Sequence, residues 1–200
     1  IGDGGTSEGD FSEGLNFAAV WKAPIIFTIQ NNQYAISVPV DKQTKSINLA
    51  VKSVAFGMPG IKVDGNDFFA MYVAYKEAHK YASEGNGPVL IEAFTYRQGA
   101  HTTSDDPTKY RTKEEEQEWL KTDPLPRLKK YMESQGIAIE NEEELIEQFK
   151  KEVDEEFAKA ENFADYKLDD VFQYMYVDMP DDLKRQKQEY EQFLSWRNNR

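Results

Sequence analysis

Residues 2–32 read GDGGTSEGDFSEGLNFAAVWKAPIIFTIQNN, and this stretch decides the fold class. It sets a glycine-flanked aspartate before a predicted helix at 8–22, and an asparagine pair directly after a predicted buried strand at 24–30. A helix that returns the chain to a parallel strand brings both polar turns to one edge of the sheet, where open α/β folds bind ligands. We therefore predict an α/β fold with a ligand site at that edge.

The two polar turns have the chemistry of a site for Mg²⁺ and a diphosphate. Mg²⁺ prefers octahedral oxygen coordination, and where it bridges phosphates the protein usually supplies one or two carboxylates or carbonyls. Asp3 and Asn32 meet that need, while Gly2 and Gly4 lack a Cβ and let the backbone approach a ligand. The first amides of the predicted helix can face an anion. One alternative stays open, because Asp and Gly are ordinary turn residues and Asp3 can simply stabilise a turn.

The rest of the chain predicts alternating elements and then helices alone. Up to residue 112 the pattern predicts a short helix at 47–57, a strand at 60–63, a helix at 68–84 and a strand at 88–96, a succession typical of a parallel sheet. Beyond Arg111 we predict only helices, at 113–121, 124–134, 142–160, 168–177 and 181–196. The predicted domains are therefore an α/β part at 1–112 and a helical region at 113–200.

Composition excludes several classes of protein. Two hundred residues with 40% hydrophobic content can bury a core. The absence of cysteine excludes disulfides and thiolate metal sites and suits a reducing compartment. The chain has no apolar run of about 18 residues, so no membrane span is predicted. The net charge of −12 argues against nucleic-acid binding, and residues 113–200 hold 24 of the 36 acidic side chains.

A second polar segment, YRQGAHTTSDDPTKYR at residues 96–111, follows the last predicted strand. Its histidine, His101, can donate to a diphosphate oxygen or move a proton near a substrate. The alternative is an exposed loop histidine without a role. Arg97 and Arg111 can neutralise a diphosphate or clamp the loop through its acidic residues, and we favour a clamp formed by Asp105 and Arg111.

Together the two segments resemble the alpha subunit of the heterotetrameric 2-oxo acid dehydrogenases, which use thiamin diphosphate. The resemblance rests on residues 2–37 and 96–111, which are far apart and in the family's order. It implies the thiamin diphosphate-binding fold, a largely parallel sheet flanked by helices. Within the family, AISVPVDKQT at residues 35–44 and HTTSDDPTKYR at residues 101–111 look most like bacterial pyruvate dehydrogenase alpha subunits. Branched-chain alpha subunits carry a very similar loop.

The resemblance also implies the residues of a site for thiamin diphosphate and Mg²⁺. The metal ligands would be Asp3, Asn32 and the main-chain carbonyl of Tyr34, with Asn31 bracing the loop. His101 matches the residue near the cofactor's diphosphate and is the expected catalytic residue. The implied cofactor-binding set is Gly2, Asp3, Gly4, Gly5, Asn32, Arg97 and His101.

As function, the resemblance implies oxidative decarboxylation of pyruvate and reductive acetylation of lipoyl groups on the acyltransferase of a cytoplasmic multienzyme complex. The expected partner is the beta subunit, in an assembly of two alpha and two beta chains. Because the beta subunit supplies the activating glutamate in this family, we expect a lone alpha chain to be inactive. Oxidation of a branched-chain 2-oxo acid or of acetoin stays open, as does a non-catalytic cofactor-binding domain.

The sequence also predicts a truncated domain. A strand is expected to lead into Gly2, and only Ile1 stands before it. We therefore expect a C-terminal part of a longer subunit. In the family, the preceding part contacts the aminopyrimidine and thiazolium side of the cofactor.

Overall fold

The computed structural model describes residues 1–138, 140–163 and 167–199. Five strands are present in this part of the chain: β1 Ile26–Asn31, β2 Tyr34–Ala35, β3 Val38–Pro39, β4 Gly60–Asp64 and β5 Val89–Phe94. The helices are α1 Gly9–Val20, α2 Val40–Gln43, α3 Phe68–Tyr81, α4 Lys113–Leu120, α5 Pro124–Ser134, α6 Glu142–Glu161, α7 Leu168–Phe172 and α8 Asp181–Asn198. Two 3-10 turns matter for the site, Gly4–Ser7 and Ala50–Phe56.

The main sheet is parallel, with strand order β1-β5-β4. Residues 1 and 2 extend it, because the Ile1 main-chain nitrogen donates to the Thr28 carbonyl at 2.9 Å, the Gln30 amide donates to the Ile1 carbonyl at 2.8 Å, and Gly2 forms a parallel bridge with Gln30. The parallel sheet and its flanking helices confirm the predicted fold class.

The central strand β5 explains why its sequence is a continuous apolar run. Leu90 belongs to a core cluster with Leu15 of α1, whereas Ile91 belongs to a second cluster with Ala78 of α3. Both strand residues are fully buried. Helices therefore cover both faces of the sheet, as parallel strands require.

Three predicted helices differ from the structure in type or by three residues or more at their end. The segment predicted as a helix at 47–57 forms the 3-10 turn Ala50–Phe56, which stops where Gly57 adopts a φ of +66°. Helix α3 ends at Tyr81 and continues as a π-helical turn, Ala82–Asn86. Helix α7 ends at Phe172, short of the predicted 177. Residues 174–177 are exposed, so no buried face supports a continuation of that helix.

The chain divides into two compact units, residues 1–138 and 139–200. The first unit contains the sheet and helices α1 to α5, and the second contains α6 to α8. Beyond Arg111 the described residues form helices and no strand, as predicted. The assignment of residues 1–112 to the cofactor-binding domain and of 113–200 to a helical region stays a prediction. Among the described helices, none combines the length and the apolar character needed to cross a membrane.

Close packing at the start of β4 gives a stability prediction. A Cβ at Gly60 would lie 2.2 Å from Ser53 Oγ and 2.5 Å from the Ala50 carbonyl oxygen. We expect Gly60→Ala to lower the free energy of unfolding by about 1–3 kcal/mol, because the backbone of the 3-10 turn must move. Urea denaturation of the full-length protein measures this change.

The matched control is Gly14→Ala, in α1, where no described atom outside the adjacent residues and the nearby backbone of the helix lies within 4 Å of the added Cβ. This substitution should raise the free energy of unfolding by about 0.5–1 kcal/mol, since alanine favours a helix over glycine. Equal denaturation midpoints for both variants would contradict the packing described at β4.

Candidate functional site

The polar segments singled out in the sequence meet at the carboxyl edge of β1 and β5. The Thr95 amide donates to the Asn31 carbonyl at 2.9 Å, and the Arg97 amide donates to the Asn32 carbonyl at 3.3 Å. The parallel bridge of Gly2 to Gln30 brings the glycine-rich turn to the same edge. The expectation that these turns share one edge of the sheet is confirmed.

Asp3 is buried and its carboxylate is directed away from its own turn. The side chain is 2% exposed, and it makes no capping bond to the amides of the turn Gly4–Ser7 that follows. Instead, Asp3 Oδ2 accepts a hydrogen bond from Gln43 Nε2 at 2.7 Å. The main-chain carbonyl of Asp3, in contrast, stabilises the turn by accepting from Thr6 Oγ1 at 2.7 Å and from the Thr6 amide at 3.1 Å. Turn stabilisation therefore does not account for the Asp3 side chain.

The glycines of this turn have different steric roles. A Cβ at Gly4 would lie 2.6 Å from the Ala35 Cβ, and one at Gly5 would lie 2.6 Å from Ile1 Cγ1. These two glycines therefore permit close packing within the protein. At Gly2, in contrast, no described atom beyond the adjacent residues lies within 4 Å of the Cβ position, so this side of the backbone has room for a ligand.

The start of the first helix also differs from the expectation. The 3-10 turn Gly4–Ser7 precedes α1, and Glu8 caps the helix without a side-chain capping bond. The amides closest in sequence to Asp3 are therefore those of the 3-10 turn, and the Thr6 amide among them donates to the Asp3 carbonyl at 3.1 Å.

The two asparagines after β1 have separate roles. Asn31 is buried, donates from Nδ2 to Glu92 Oε1 at 2.8 Å and accepts at Oδ1 from the Gln33 amide at 3.2 Å. It braces the loop, as predicted. Asn32 Oδ1 accepts from the Tyr34 amide at 3.2 Å. An amide oxygen has two lone pairs, so Asn32 retains one for a cation.

Glu92 is a residue of this region that the sequence reasoning missed. It is fully buried in the apolar strand β5, and its carboxylate also accepts from the amides of Leu49 and Ala50 at 2.8 and 2.9 Å. These donors compensate for the burial of the carboxylate. The sequence did contain a signal for this residue, the single glutamate in the apolar run VLIEAF. A charged side chain inside a buried strand needs hydrogen-bond partners, so it could have been singled out.

Arg97 braces the loop around Tyr34. Its Nη1 donates to the Tyr34 carbonyl at 3.1 Å, and its Nη2 donates to the Ile36 carbonyl and to the Tyr110 hydroxyl. The Tyr34 carbonyl is the atom implied as a metal ligand, and it keeps a second lone pair. A direct contact between Arg97 and a cofactor stays a prediction.

Tyr34 also links the loop to α4. Its hydroxyl donates to Glu115 Oε1 at 2.9 Å. The pKa of Tyr34 is raised to about 12, mainly because the hydroxyl is buried and secondly because it donates to this carboxylate. On the same helix, Trp119 stacks on Tyr96 with ring centroids 5.1 Å apart. Helix α4 therefore packs directly against the residues that follow β1 and β5.

His101 lies in an exposed loop whose backbone is fixed. Its amide donates to Asp105 Oδ2 at 2.8 Å, and the Tyr110 hydroxyl donates to the same oxygen at 2.6 Å. Both hydrogen bonds stabilise the ionised carboxylate and lower the pKa of Asp105 below its usual range, and the bond from Tyr110 has the larger effect. The His101 side chain is exposed. The loop geometry therefore depends on the backbone of His101 and not on its imidazole.

Arg111 holds the same loop, but not through Asp105 as we predicted. Its side chain is 1% exposed, and its Nε forms an ion pair with Glu116 Oε1 at 2.7 Å. The other guanidinium nitrogens donate to the carbonyls of Arg97, Gln98 and Gly99. A guanidinium presents donors on several sides of a plane, so it can bind three successive carbonyls and a carboxylate together.

This geometry predicts a loss of stability for Arg111→Lys. A lysine ammonium is a single point charge and cannot make these contacts together. We expect the free energy of unfolding to fall by about 2–3 kcal/mol, the scale of a lost hydrogen bond to a charged group in a buried site. We also expect faster proteolytic cleavage within residues 98–106. Urea denaturation and limited proteolysis of the full-length protein measure the two effects.

Glu116→Gln is the matched control, since it removes one charge and leaves the carbonyl contacts of Arg111 in place. It should have the smaller effect on both measurements. If Glu116→Gln were as damaging as Arg111→Lys, the ion pair and not the carbonyl contacts would hold the loop.

A metal at this edge would need amide and carbonyl oxygens beside a carboxylate. Within residues 1–138, 140–163 and 167–199, no group of three or more His, Cys, Asp or Glu side chains is arranged to hold an ion. The ligand set of Asp3, the Asn32 amide and the Tyr34 carbonyl, which the resemblance implies, stays a prediction.

Comparison with known proteins places this arrangement in a family. The dehydrogenase E1 component family matches residues 1–168. The chain is 53% identical over 197 residues to "Pyruvate dehydrogenase E1 component subunit alpha" of Acholeplasma laidlawii, covering 97% of this chain and 57% of that protein. Proteins of the same name from Staphylococcus aureus and Staphylococcus epidermidis are 50% and 48% identical, each over 96% of this chain and 52% of their own length.

The chain spans about half the length of the curated relatives it matches. The matched residues include both polar segments on which the resemblance rests. The predicted family is therefore confirmed, and this chain belongs to the dehydrogenase E1 component family.

Proposed function

We propose that this chain is part of the alpha subunit of a pyruvate dehydrogenase component. The whole protein would carry out oxidative decarboxylation of pyruvate with thiamin diphosphate and Mg²⁺, and would acetylate lipoyl groups on an acyltransferase. The observation that carries this proposal is the placement of Asp3, Asn32 and the start of the His101 loop at one sheet edge, in a chain of the E1 family. The relatives named as pyruvate dehydrogenase alpha subunits support the choice of substrate.

The side chains at this edge fit a diphosphate and a hard cation. Asp3 offers a buried carboxylate that its own turn does not use. Asn32 Oδ1 and the Tyr34 carbonyl each accept a hydrogen bond and keep a lone pair. One carboxylate and two neutral oxygens form a ligand set that suits Mg²⁺ bound to phosphates. The open space beside Gly2 supports a close approach of the diphosphate.

The chain's own share of the chemistry is binding and orientation. Thiamin diphosphate, when bound, supplies the electron sink that lets CO₂ leave the 2-oxo acid. Asp3, Asn32 and the Tyr34 carbonyl would hold the ion, and Arg97 would add positive charge beside the diphosphate. His101 would donate to the diphosphate or move a proton near the substrate.

The proposed partners are a beta subunit, in an assembly of two alpha and two beta chains, and a lipoyl-bearing acyltransferase. The E1 family and the names of the relatives support this assembly. A cytoplasmic location is part of the same proposal, and the absence of cysteine is compatible with it.

The test is a decarboxylation assay on the full-length chain co-expressed with its beta subunit. Turnover of pyruvate, of a branched-chain 2-oxo acid and of acetoin is measured with an artificial electron acceptor, with and without thiamin diphosphate and Mg²⁺. We expect the turnover rate to be higher with pyruvate than with the other substrates. We also expect turnover to require both thiamin diphosphate and Mg²⁺. The alpha chain alone serves as the control and should be inactive.

Two other results would point elsewhere. Faster turnover of the branched acid would assign the protein to the branched-chain enzymes, and turnover of acetoin alone would assign it to acetoin dehydrogenases. Cofactor binding without any turnover would indicate a non-catalytic domain. The braced loop around His101 favours a catalytic subunit, because Arg111, Asp105 and Tyr110 together fix a segment that presents an exposed imidazole.

A further inference from the structure

We propose that Gln43 is a positioning residue for the Asp3 carboxylate in the Mg²⁺ site, a role that rests on the proposed function. Gln43 is the last residue of α2, and its Nε2 donates to Asp3 Oδ2 at 2.7 Å. The two residues are 40 positions apart in the sequence. This contact joins the glycine-rich turn to the segment that follows Asn32.

The orientation of the Gln43 amide follows from its neighbours. Nε2 also donates to the Val38 carbonyl at 2.9 Å. Both partners of Nε2 are acceptors, so the reversed amide would set an oxygen against two oxygens. The Gln43 amide is therefore oriented with its nitrogen, Nε2, toward Asp3 and Val38, and its oxygen, Oε1, does not face these two acceptors.

Gln43 Oε1 is buried and has no hydrogen-bond partner in the structure. It lies 3.8 Å from the position that a Cβ on Gly4 would take, which places it beside the glycine-rich turn. Buried acceptors are normally satisfied by the protein or by ordered water. Mg²⁺ bound to phosphates usually keeps several waters, and each of these is a donor. The unsatisfied Oε1 is therefore available to a water held by the ion.

The contact has a direct consequence for Asp3. With Oδ2 held by Gln43, the carboxylate has one fixed orientation, and Oδ1 is left for the cation. The Lys52 ammonium also contacts the glycine-rich turn, but it donates to the carbonyl and hydroxyl of Thr6. Lys52 therefore holds the turn without contacting the Asp3 carboxylate through these bonds. Residues that orient a metal ligand typically change metal affinity about 10–100-fold when they are removed.

The experiment measures thiamin diphosphate binding by calorimetry over a range of Mg²⁺ concentrations, using the full-length alpha chain with its beta subunit. We expect Gln43→Ala to raise the Mg²⁺ concentration for half-maximal cofactor binding about 10–100-fold. At saturating Mg²⁺, the cofactor affinity should return to that of the parent. Lys42→Ala, an exposed neighbour on α2, is the control and should leave the Mg²⁺ dependence unchanged.

Gln43→Met is measured beside it, because methionine fills similar space without the amide. The same Mg²⁺ shift in Gln43→Met, with a denaturation midpoint equal to that of Lys42→Ala, supports the positioning role. A cofactor affinity that stays low at saturating Mg²⁺ would assign Gln43 a structural role and overturn the inference.

The outcomes separate this inference from the proposed function. If the parent binds the cofactor with Mg²⁺ and both Gln43 variants match it, the positioning role is wrong and the proposed function stands. A parent that shows no Mg²⁺-dependent binding would overturn both.

Discussion

Asp3→Ala is expected to abolish Mg²⁺-dependent binding of thiamin diphosphate. Asp3 supplies the only carboxylate among the three oxygens proposed to hold the ion, and its side chain is 2% exposed. Losing a charged contact to a cation in a buried site would weaken cofactor binding by about 100-fold or more, the factor that about 3 kcal/mol implies. Calorimetry on the full-length chain with its beta subunit measures this loss.

The fold should survive the substitution. Asp3 makes no side-chain cap, and the turn is held by its main-chain carbonyl, which accepts from the amide and hydroxyl of Thr6. We therefore expect a denaturation midpoint close to that of the parent in the absence of cofactor. Asp10→Ala, on the exposed first turn of α1, is the control for removing one negative charge.

Unchanged cofactor affinity in Asp3→Ala would remove Asp3 from the ligand set. The buried carboxylate would then be a partner for Gln43 alone. An equal loss in Asp10→Ala would point to net charge as the cause instead of a ligand contact.

Local signals in the sequence predicted much of the fold. Asp67 stands directly before the helix predicted at 68–84, and in the structure its carboxylate caps α3 by accepting from the Phe69 and Ala70 amides. The helix predicted at 124–134 has these bounds in the structure, because Asp123 caps it and Pro124 fits its first position. Signals of this kind act within a few residues, so a single sequence reveals them.

The contacts that shape the candidate site act over long distances, and the sequence did not reveal them. Gln43 meets Asp3 across 40 residues, and Tyr34 meets Glu115 across 81. Neither pair has a periodicity or a motif of its own. The predicted partner of Arg111 was wrong for a related reason, because main-chain carbonyls leave no trace in the residue types. The ligand set itself was expected from the resemblance to a family, and it stays a prediction.

His101→Ala is expected to lower turnover about 10²–10⁴-fold, the range for loss of a positioned acid–base group, while leaving the fold intact. The imidazole is exposed, and the loop is held by the His101 amide, by Asp105 and Tyr110, and by Arg111. Alanine keeps the amide, so these contacts should persist. Turnover of pyruvate by the full-length chain with its beta subunit measures the effect.

Two further measurements separate chemistry from structure. The proteolysis rate of the loop and the denaturation midpoint should match those of His79→Ala, the control that removes the other histidine from an exposed position on α3. Added imidazole should restore part of the turnover in His101→Ala, since the missing group is small and the loop remains in place. Wild-type turnover in His101→Ala would make His101 an ordinary loop residue. A loss of turnover matched by faster loop cleavage would mean that the side chain orders the loop and does not act on the cofactor or substrate.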